Sequence, residues 1–393
     1  MDKLEGVIRA YPWGSRTLIP SLRGQQSPAS RPEAELWYGA HPASPARLAS
    51  TGEALDGVIA KDPEYQLGAR VVARYGAQLP FLLKLLAAAE PLSLQAHPSK
   101  EQAVDGFARD NAAGIDLHAA NRNYKDDNHK PELIVALTPF KAMAGFRPVA
   151  QTRELFAALD CPEADRYLTM LGAGGADGPD PADDAASMRA LFTTWITIPH
   201  DARVTLIDAI VAAAQPRSAQ ADWIGGVCEV VCELNERYPG DIGVLGALLL
   251  NHVDLEPGQA VYLDAGQLHA YVRGLGVEIM ANSDNVLRGG LTSKYVDIPE
   301  LLRVLDFRCL DDPRVRAVDG EYPVPIDEFR LNRLEVTADG VTVDHDGPSI
   351  VMVTEGSLQA GDVQLQPGDA VWIPAGDPAV ELRGKATAFW ART

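Results

Sequence analysis

The chain is poor in cysteine, in positive charge and in long apolar runs. Its four cysteines, Cys161, Cys228, Cys232 and Cys309, form no C-x-x-C pair in 393 residues, so neither a disulfide framework nor a cysteine-based zinc module is expected. Cys228 and Cys232 share a helical spacing and read as small buried apolar groups. Against 54 acidic side chains stand only 35 Lys and Arg, a formal net charge of −19. That balance disfavours nucleic acid or an anionic membrane as partner, because both reward clustered cations. No apolar stretch approaches the roughly 20 residues of a membrane span, and Asp2, Glu5 and Pro12 interrupt the segment where a signal peptide needs continuous apolar residues. The expectation is a cytoplasmic protein in which any anionic small substrate meets a local basic pocket.

What is present is ordinary globular material, 46% hydrophobic and 23% charged, in a chain long enough for roughly two or three domains. Residues 1–97 are punctuated by Pro12, Gly14, Pro20, Gly24, Pro42 and Pro45, which suits strands and loops. In the run from Pro80, Lys84 interrupts an apolar stretch, and Leu92, Leu94 and Ala96 alternate with Ser93, Gln95 and His97, placing the latter three on one face of a strand. Between about 150 and 250 the character changes to amphipathic segments, Ser187 to Ile198 and Ala202 to Ala214, with a solvated, flexible loop expected over 172–184. Strand patterns return after Asn251. The fold class predicted is mainly β with an α-helical insertion.

An internal repeat sharpens that reading: PGQAVYLDAGQLH at 257–269 overlays PGDAVWIPAGDPA at 367–379 without a gap. Each copy is a turn, a short apolar strand and a second turn, as in a double-sheet jelly roll, so two related β-barrel modules are expected. The first copy ends in His269 and the second in Ala379. A working site is therefore expected in the first module and a structural role for the second.

Three histidines of eight lie in strings dense with polar groups. Gln95 and His97 sit two apart on a strand, roughly 6 to 7 Å along the backbone. His129 and Glu132 flank Pro131 just before the apolar strand from Leu133. His269 opens a segment carrying Tyr271, Glu278, Asn282, Ser283, Asp284, Asn285, Arg288, Thr292 and Lys294. Taken singly, Q-x-H is a hydrogen-bonded strand histidine, and Glu278, Asp284, Arg288 and Lys294 are a surface ion-pair network. Taken together, two imidazoles, a carboxylate and an amide oxygen suit a borderline divalent ion such as Zn²⁺, with one position left open. With a single anionic ligand that cluster keeps a charge of about +1 and remains a Lewis acid. A cupin-type metal oxygenase and a non-catalytic sugar-binding β protein are the rival readings; the amide ligand speaks against the first.

At these residues the chain resembles the type I mannose-6-phosphate isomerases, zinc enzymes of the cupin class. YPWG at 11–14 and AELW at 34–37 resemble the family's opening, SLQAHP at 93–98 its first ligand string, NYKDDNHKPE at 123–132 the signature with the third ligand, and HAY at 269–271 with EIMANSDNVLRGGLTSK at 278–294 the stretch with the last ligand and a catalytic arginine. The resemblance implies interconversion of mannose 6-phosphate and fructose 6-phosphate through a cis-enediol, with one zinc per chain held by Gln95, His97, Glu132 and His269. It implies a jelly-roll catalytic domain over 1–150 and 251–310, a helical domain over 151–250 and a C-terminal jelly roll over 311–393 without metal ligands, in a monomer. Arg288 is expected to stabilise the developing charge, with Lys130, Ser93 and Lys294 as candidates for the phosphate. Glu278 and His129 compete as the base, Glu278 being preferred, and Tyr271 and Asp284 are expected to orient the base or the sugar.

Overall fold

Every residue of the strand Phe81–Ala88 is buried, because it runs through the middle of a sheet covered on both faces. In the computed structural model, which describes residues 1–172 and 181–393, this strand belongs to an 11-stranded antiparallel sheet, and the C-terminal strands form a second, 9-stranded one. The chain is thus largely β, two antiparallel sheets with helices added. Cross-strand register sets Trp37, Lys84, Glu278 and Ile134 in one row of the larger sheet. Since side chains alternate across a strand, one face carries Leu36, Tyr38, Leu83, Leu85, Leu133, Val135, Val277 and Ile279. These pack in one core with Ile350, Met352, Trp372 and Phe389 of the smaller sheet. Each such side chain removed from water contributes roughly 1.5–3 kcal/mol. The opposite face carries Glu35, Trp37, Lys84, Glu132 and Glu278, and there the polar residues gather.

The strand His269–Ala281 bends between two sets of partners. Its first residues pair with Leu94–Ala96 and Phe140–Phe146, and residues 274–281 pair with Phe81–Ala88 and Glu132–Ala136. The change falls at Gly274, whose φ of +128° favours glycine and where a Cβ would lie 2.6 Å from the Phe140 ring. His269 and Glu278 therefore stand on two arms of one strand.

The repeat is visible as matching strands, Ala260–Leu263 and Ala370–Ile373. Before each, a turn closes alike: Gln259 Oε1 accepts from the Glu256 amide at 2.9 Å, and Asp369 Oδ2 accepts from the Gln366 amide at 2.9 Å. The two turns are also tied crosswise. Tyr322, in the smaller sheet, donates its hydroxyl to the Gly258 carbonyl at 2.8 Å, while Tyr38, in the larger, donates to the Gly368 carbonyl. Edge strands are exchanged in the same spirit. Asp2–Glu5 and Arg47–Leu48, expected with the first module, join the C-terminal sheet, and Arg314–Val315, expected with the second, pairs with Ala260–Leu263. Each exchange covers an edge that would otherwise expose unpaired backbone groups.

Between Val149 and Ala247 the described residues are mainly helical, with Phe192, Trp195, Ile207 and Val231 in a common core that also takes Leu94, Phe146 and Leu268 from the sheet. The helix expected from Ser187 starts earlier, spanning Pro181–Ile196, so residues 181–184 are helical and not loop. Asp183 and Asp184 in its first turn suit the positive end of a helix dipole. The loop expectation for 173–180 lies outside the described residues. Short helices at Leu18–Leu22, Leu55–Lys61, Pro63–Leu67 and Ala69–Tyr75 stand among the strands and loops of residues 1–97, where long helices were not expected. Lys100–Ala112 is a further helix, not singled out from the sequence, whose start is fixed by a capping box of Ser99 and Gln102. Among the described residues no helix is long and apolar enough to cross a membrane.

Candidate metal centre and active site

The ligand atoms of His97, Glu132 and His269 lie within 4.8 Å of one another, and all three residues are buried. Glu132 opens the strand Glu132–Ala136, directly after Pro131. His269 opens the long bent strand, with Gln95 opposite it in register. Glu132 Oε1 is 3.4 Å from His97 Nε2, its Oε2 is 3.5 Å from His269 Nε2, and the Gln95 amide is 3.4 Å from the same His269 nitrogen. A tetrahedral ion with bonds of about 2.0–2.1 Å separates its ligand atoms by about 3.3 Å. The amide nitrogen of Gln95 points inward, and turning the amide over puts its oxygen in that place.

The rings are preset. Nδ1 of His97 bonds the Asn285 carbonyl at 2.7 Å and Nδ1 of His269 bonds the Gln267 carbonyl at 2.9 Å. With Nδ1–H donating outward, each Nε2 turns a lone pair inward. His97 Nε2 and Glu132 Oε2 are buried without a hydrogen-bond partner, a costly arrangement unless something cationic satisfies both. The donor set, two neutral imidazoles, one carboxylate and one amide, thus fits a divalent cation.

Electrostatics agree. Burial, reinforced by the Lys130 ammonium, lowers the His97 pKa to about 4, so the ring is neutral. Burial opposes the charge on Glu132, yet Lys130, whose Nζ is 3.0 Å from Oε1, and the imidazoles hold its carboxyl well below the usual range. The loop behind His97 is fastened by Asp126. Its Oδ1 accepts from Ser283 Oγ at 2.8 Å and its Oδ2 from the Asp284 amide at 2.7 Å, and its carbonyl accepts from the Asn285 side chain at 2.9 Å.

Beside the cluster lies a second buried set. Lys84 Nζ bonds Glu278 Oε2 at 2.7 Å and reaches Glu35 Oε1 at 4.0 Å, and Glu35 accepts from the Trp37 indole at 2.5 Å. Burial raises the Glu278 pKa, Lys84 opposes that rise, and the charges of Glu132 and Glu35 add to it. Burial works against the Lys84 ammonium, but Glu278 and Glu35 more than compensate and keep it charged. Arg288 is the register partner of Gln95, so Arg288, Gln95 and His269 follow one another across three strands. Among the described residues neither Arg288 nor Lys294 has a carboxylate partner. Burial lowers the pKa of Arg288, and burial together with Arg288 lowers that of Lys294.

Residues 1–149 match the family model for the phosphomannose isomerase type I catalytic domain. The chain is 38% identical to the mannose-6-phosphate isomerase of Escherichia coli (strain K12), over 98% of this chain and 97% of that protein. It is 33% identical to mannose-6-phosphate isomerase 1 of Arabidopsis thaliana, over 98% and 92%. The chain belongs to the type I phosphomannose isomerase family. Solved structures agree over the whole length. A lysine-to-alanine variant of the Salmonella typhimurium phosphomannose isomerase superposes with a TM-score of 0.89 at 35% identity, covering 100% of this chain and 99% of that one. A mannose 6-phosphate isomerase bound with zinc and yttrium gives 0.88 at 34%, with the same coverage.

Of the residues singled out in the sequence of this phosphomannose isomerase family member, Gln95, His97, Glu132 and His269 come together, with Lys130 on Glu132 and Arg288 beside Gln95. Glu278 is tied to Lys84, and the buried Tyr271 hydroxyl, raised in pKa by burial and by Glu278, has no hydrogen-bond partner. Asp284 is exposed and faces His41 at 3.4 Å, which with burial opposing lowers its pKa. Ser93 is half-buried on the strand segment of Gln95. His129 turns away: its Nε2 bonds Glu328, two residues before the strand Arg330–Val336 of the C-terminal sheet, at 2.7 Å. Sequence reasoning missed Lys84, Glu35 and His41. For Lys84 a signal existed, since a lysine inside an apolar strand must find a buried counter-charge.

Proposed function

We propose that the chain interconverts D-mannose 6-phosphate and D-fructose 6-phosphate at this site, with one Zn²⁺ per chain held by Gln95, His97, Glu132 and His269, as a cytoplasmic monomer. The observation that carries the reading is the convergence of two carbonyl-fixed imidazoles and an ionised carboxylate on one buried point, in a chain of this family. We read the first sheet with its partners as a jelly-roll catalytic domain over 1–150 and 251–310, the helices of 151–250 as an insertion, and 311–393 as a second jelly roll, with the edge strands noted above exchanged.

Bound zinc would supply a positive Lewis-acid charge for oxygens of the open-chain sugar. The protein's share is to move one proton and hold the substrate. In the aldose-to-ketose direction a base takes the proton from C2 and returns it to C1 through a cis-enediol, while the carbonyl oxygen at C1 gains a proton and the C2 hydroxyl loses one. Glu278 is our choice of base: its carboxyl is raised in pKa by burial and held in place by Lys84. Arg288, next to Gln95, faces the developing oxygen charge. Lys294 with Ser93 suits the phosphate dianion, because Lys130 is already engaged by Glu132. Tyr271 and Asp284 orient the base and the sugar hydroxyls.

Metal analysis and a coupled assay for fructose 6-phosphate on the same preparation test the reading. Zinc near one equivalent with isomerisation abolished by chelation is expected, and full activity in metal-free protein overturns it. The base is tested by hydrogen exchange with solvent: Glu278→Gln should abolish exchange at C2, and loss in His129→Ala with near-normal turnover in Glu278→Gln would transfer the role to His129.

A further inference from the structure

The C-terminal segment supplies none of the four candidate ligands, yet it reaches the string that carries Glu132. That string, residues 128–132, is fastened to the first module at two places. The Asn128 carbonyl accepts from Ser283 Oγ at 3.1 Å and from Asn285 Nδ2 at 2.8 Å, and the Pro131 carbonyl accepts from the Ala281 amide at 3.1 Å. Between these two anchors lie His129 and Lys130. Lys130 points to Glu132, at 3.0 Å. His129 points the other way, to Glu328 at 2.7 Å, across 199 positions of sequence.

The pair is built for holding. Both side chains are largely buried, 19% and 14% exposed. Glu328 has no other cationic partner among the described residues, since the neighbouring cations Arg74 and Arg330 are taken by Asp327. Its second oxygen accepts from the Asp327 amide at 3.3 Å, which fixes the carboxylate's direction just before the strand Arg330–Val336. A charge-assisted hydrogen bond so placed is both strong and directional.

We propose that Glu328 is a positioning residue for the reaction: by holding His129 it fixes the 128–132 string, and so the placement of Lys130 and Glu132, which makes the second β module a working part of the active site. This rests on the isomerase reading above. It gives the module without ligands a task that neither the repeat nor the family resemblance assigns to it.

The test is steady-state kinetics on metal-loaded Glu328→Ala, Glu328→Gln, His129→Ala and the double variant, with metal content and thermal melting recorded for each. Outer supports of metal sites lower activity by about 10–100-fold when removed. Glu328→Ala is expected to lose kcat by about that factor with KM within about twofold of the parent. Glu328→Gln, which keeps an acceptor for the ring N–H, should recover most of the loss, as a purely structural charge would not. The double variant should be no worse than His129→Ala by more than about twofold, because both changes remove one contact. A Glu328→Ala enzyme within twofold of the parent kcat, a Gln variant as impaired as Ala, or additive losses would each overturn the proposal while leaving the isomerase reading intact. A parent protein without isomerase activity would overturn both. Should Glu328→Ala fail to fold, His129→Ala takes its place: a kcat within twofold of the parent overturns the proposal.

Discussion

The two copies of the repeated turn-strand-turn differ more in what surrounds them than in their backbones. Both turns are closed by a side chain two residues after the proline, both carry a glycine at positive φ, and both are held by a tyrosine from the opposite sheet. In the first copy the final turn delivers His269 into a buried cluster with Gln95, His97 and Glu132. In the second the same position is Ala379, exposed, and Asp377 two residues earlier binds the N-terminal ammonium. The same frame thus hosts a candidate metal centre in one module and a chain-end anchor in the other. The frame sets where a ligand can stand, and partners from two other segments decide whether it becomes a site.

The change that breaks the difference most completely is His269→Ala, which makes the first copy like the second. Removal of a ligand exceeds the 10–100-fold cost of losing an outer support, so activity should fall by more than about 100-fold and bound zinc should be lost on dialysis. Metal content and the isomerase assay check it. Retained zinc with lost activity would mean that the three other donors suffice to hold the ion.

The second largest effect concerns a feature found in the first sheet alone, the buried Lys84–Glu278 pair. Lys84→Ala leaves a carboxylate in a dry setting without its counter-charge, a change that costs about 3–5 kcal/mol. Denaturant unfolding should show that loss. Lys84→Ala together with Glu278→Ala should recover part of it, because both charges are then absent.

That pair also shows where reading the sequence stops. Gln95, His97, Glu132 and His269 were legible because each sits in a compact string whose spacing and neighbours carry the chemistry. The alternation around Leu94 placed Gln95 and His97 on one face before any register was known. The partner of Lys84 depends on which residue of a distant strand lies opposite, and no local pattern fixes a register across 194 positions. The same holds for His129 and Glu328, for His41 and Asp284, and for the exchanged edge strands, whose assignment rests on which sheet had an open edge. The helical block was legible through its 3.6-residue period. The start of the helix Pro181–Ile196 was hidden by the run of Gly, Asp and Pro around it, in which aspartates of a first helical turn look like loop residues.

A smaller, pH-dependent effect should also separate the modules. His252, on the strand Leu250–Leu255 of the first sheet, bonds the Ala247 carbonyl through Nε2 at 2.9 Å while its Nδ1 is buried without a partner. Burial, with the nearby Arg147 and Lys141 charges, lowers its pKa to about 3. The unfolded chain takes up a proton near the ordinary value of 6.5, well before the folded one. Stability from this group is therefore complete above that value and declines as pH falls towards 3, by about 1.4 kcal/mol per unit where the unfolded ring is charged and the folded one neutral. Unfolding free energies measured between pH 7 and 4 should fall less steeply in His252→Gln than in the parent. Parallel curves would show that the acid sensitivity resides elsewhere.

The smallest expected effect is the reverse graft, Ala379→His, which gives the second copy the residue it lacks at the repeated position. An exposed substitution away from caps, cores and ion pairs changes stability by under about 0.5 kcal/mol. It should also leave zinc stoichiometry unchanged, because the carboxylate two residues before it, Asp377, is already engaged by the N-terminal ammonium and the Tyr65 hydroxyl. The other histidine of that module, His345, already bonds the Gly347 carbonyl through Nδ1 at 2.9 Å and lies next to Asp346, which is paired with Arg70. A variant binding a second equivalent of zinc would mean that the frame alone makes a site. That outcome would reverse the order of causes, in which the grouping of Gln95, His97 and Glu132 makes the candidate centre and the turn presents His269 to them.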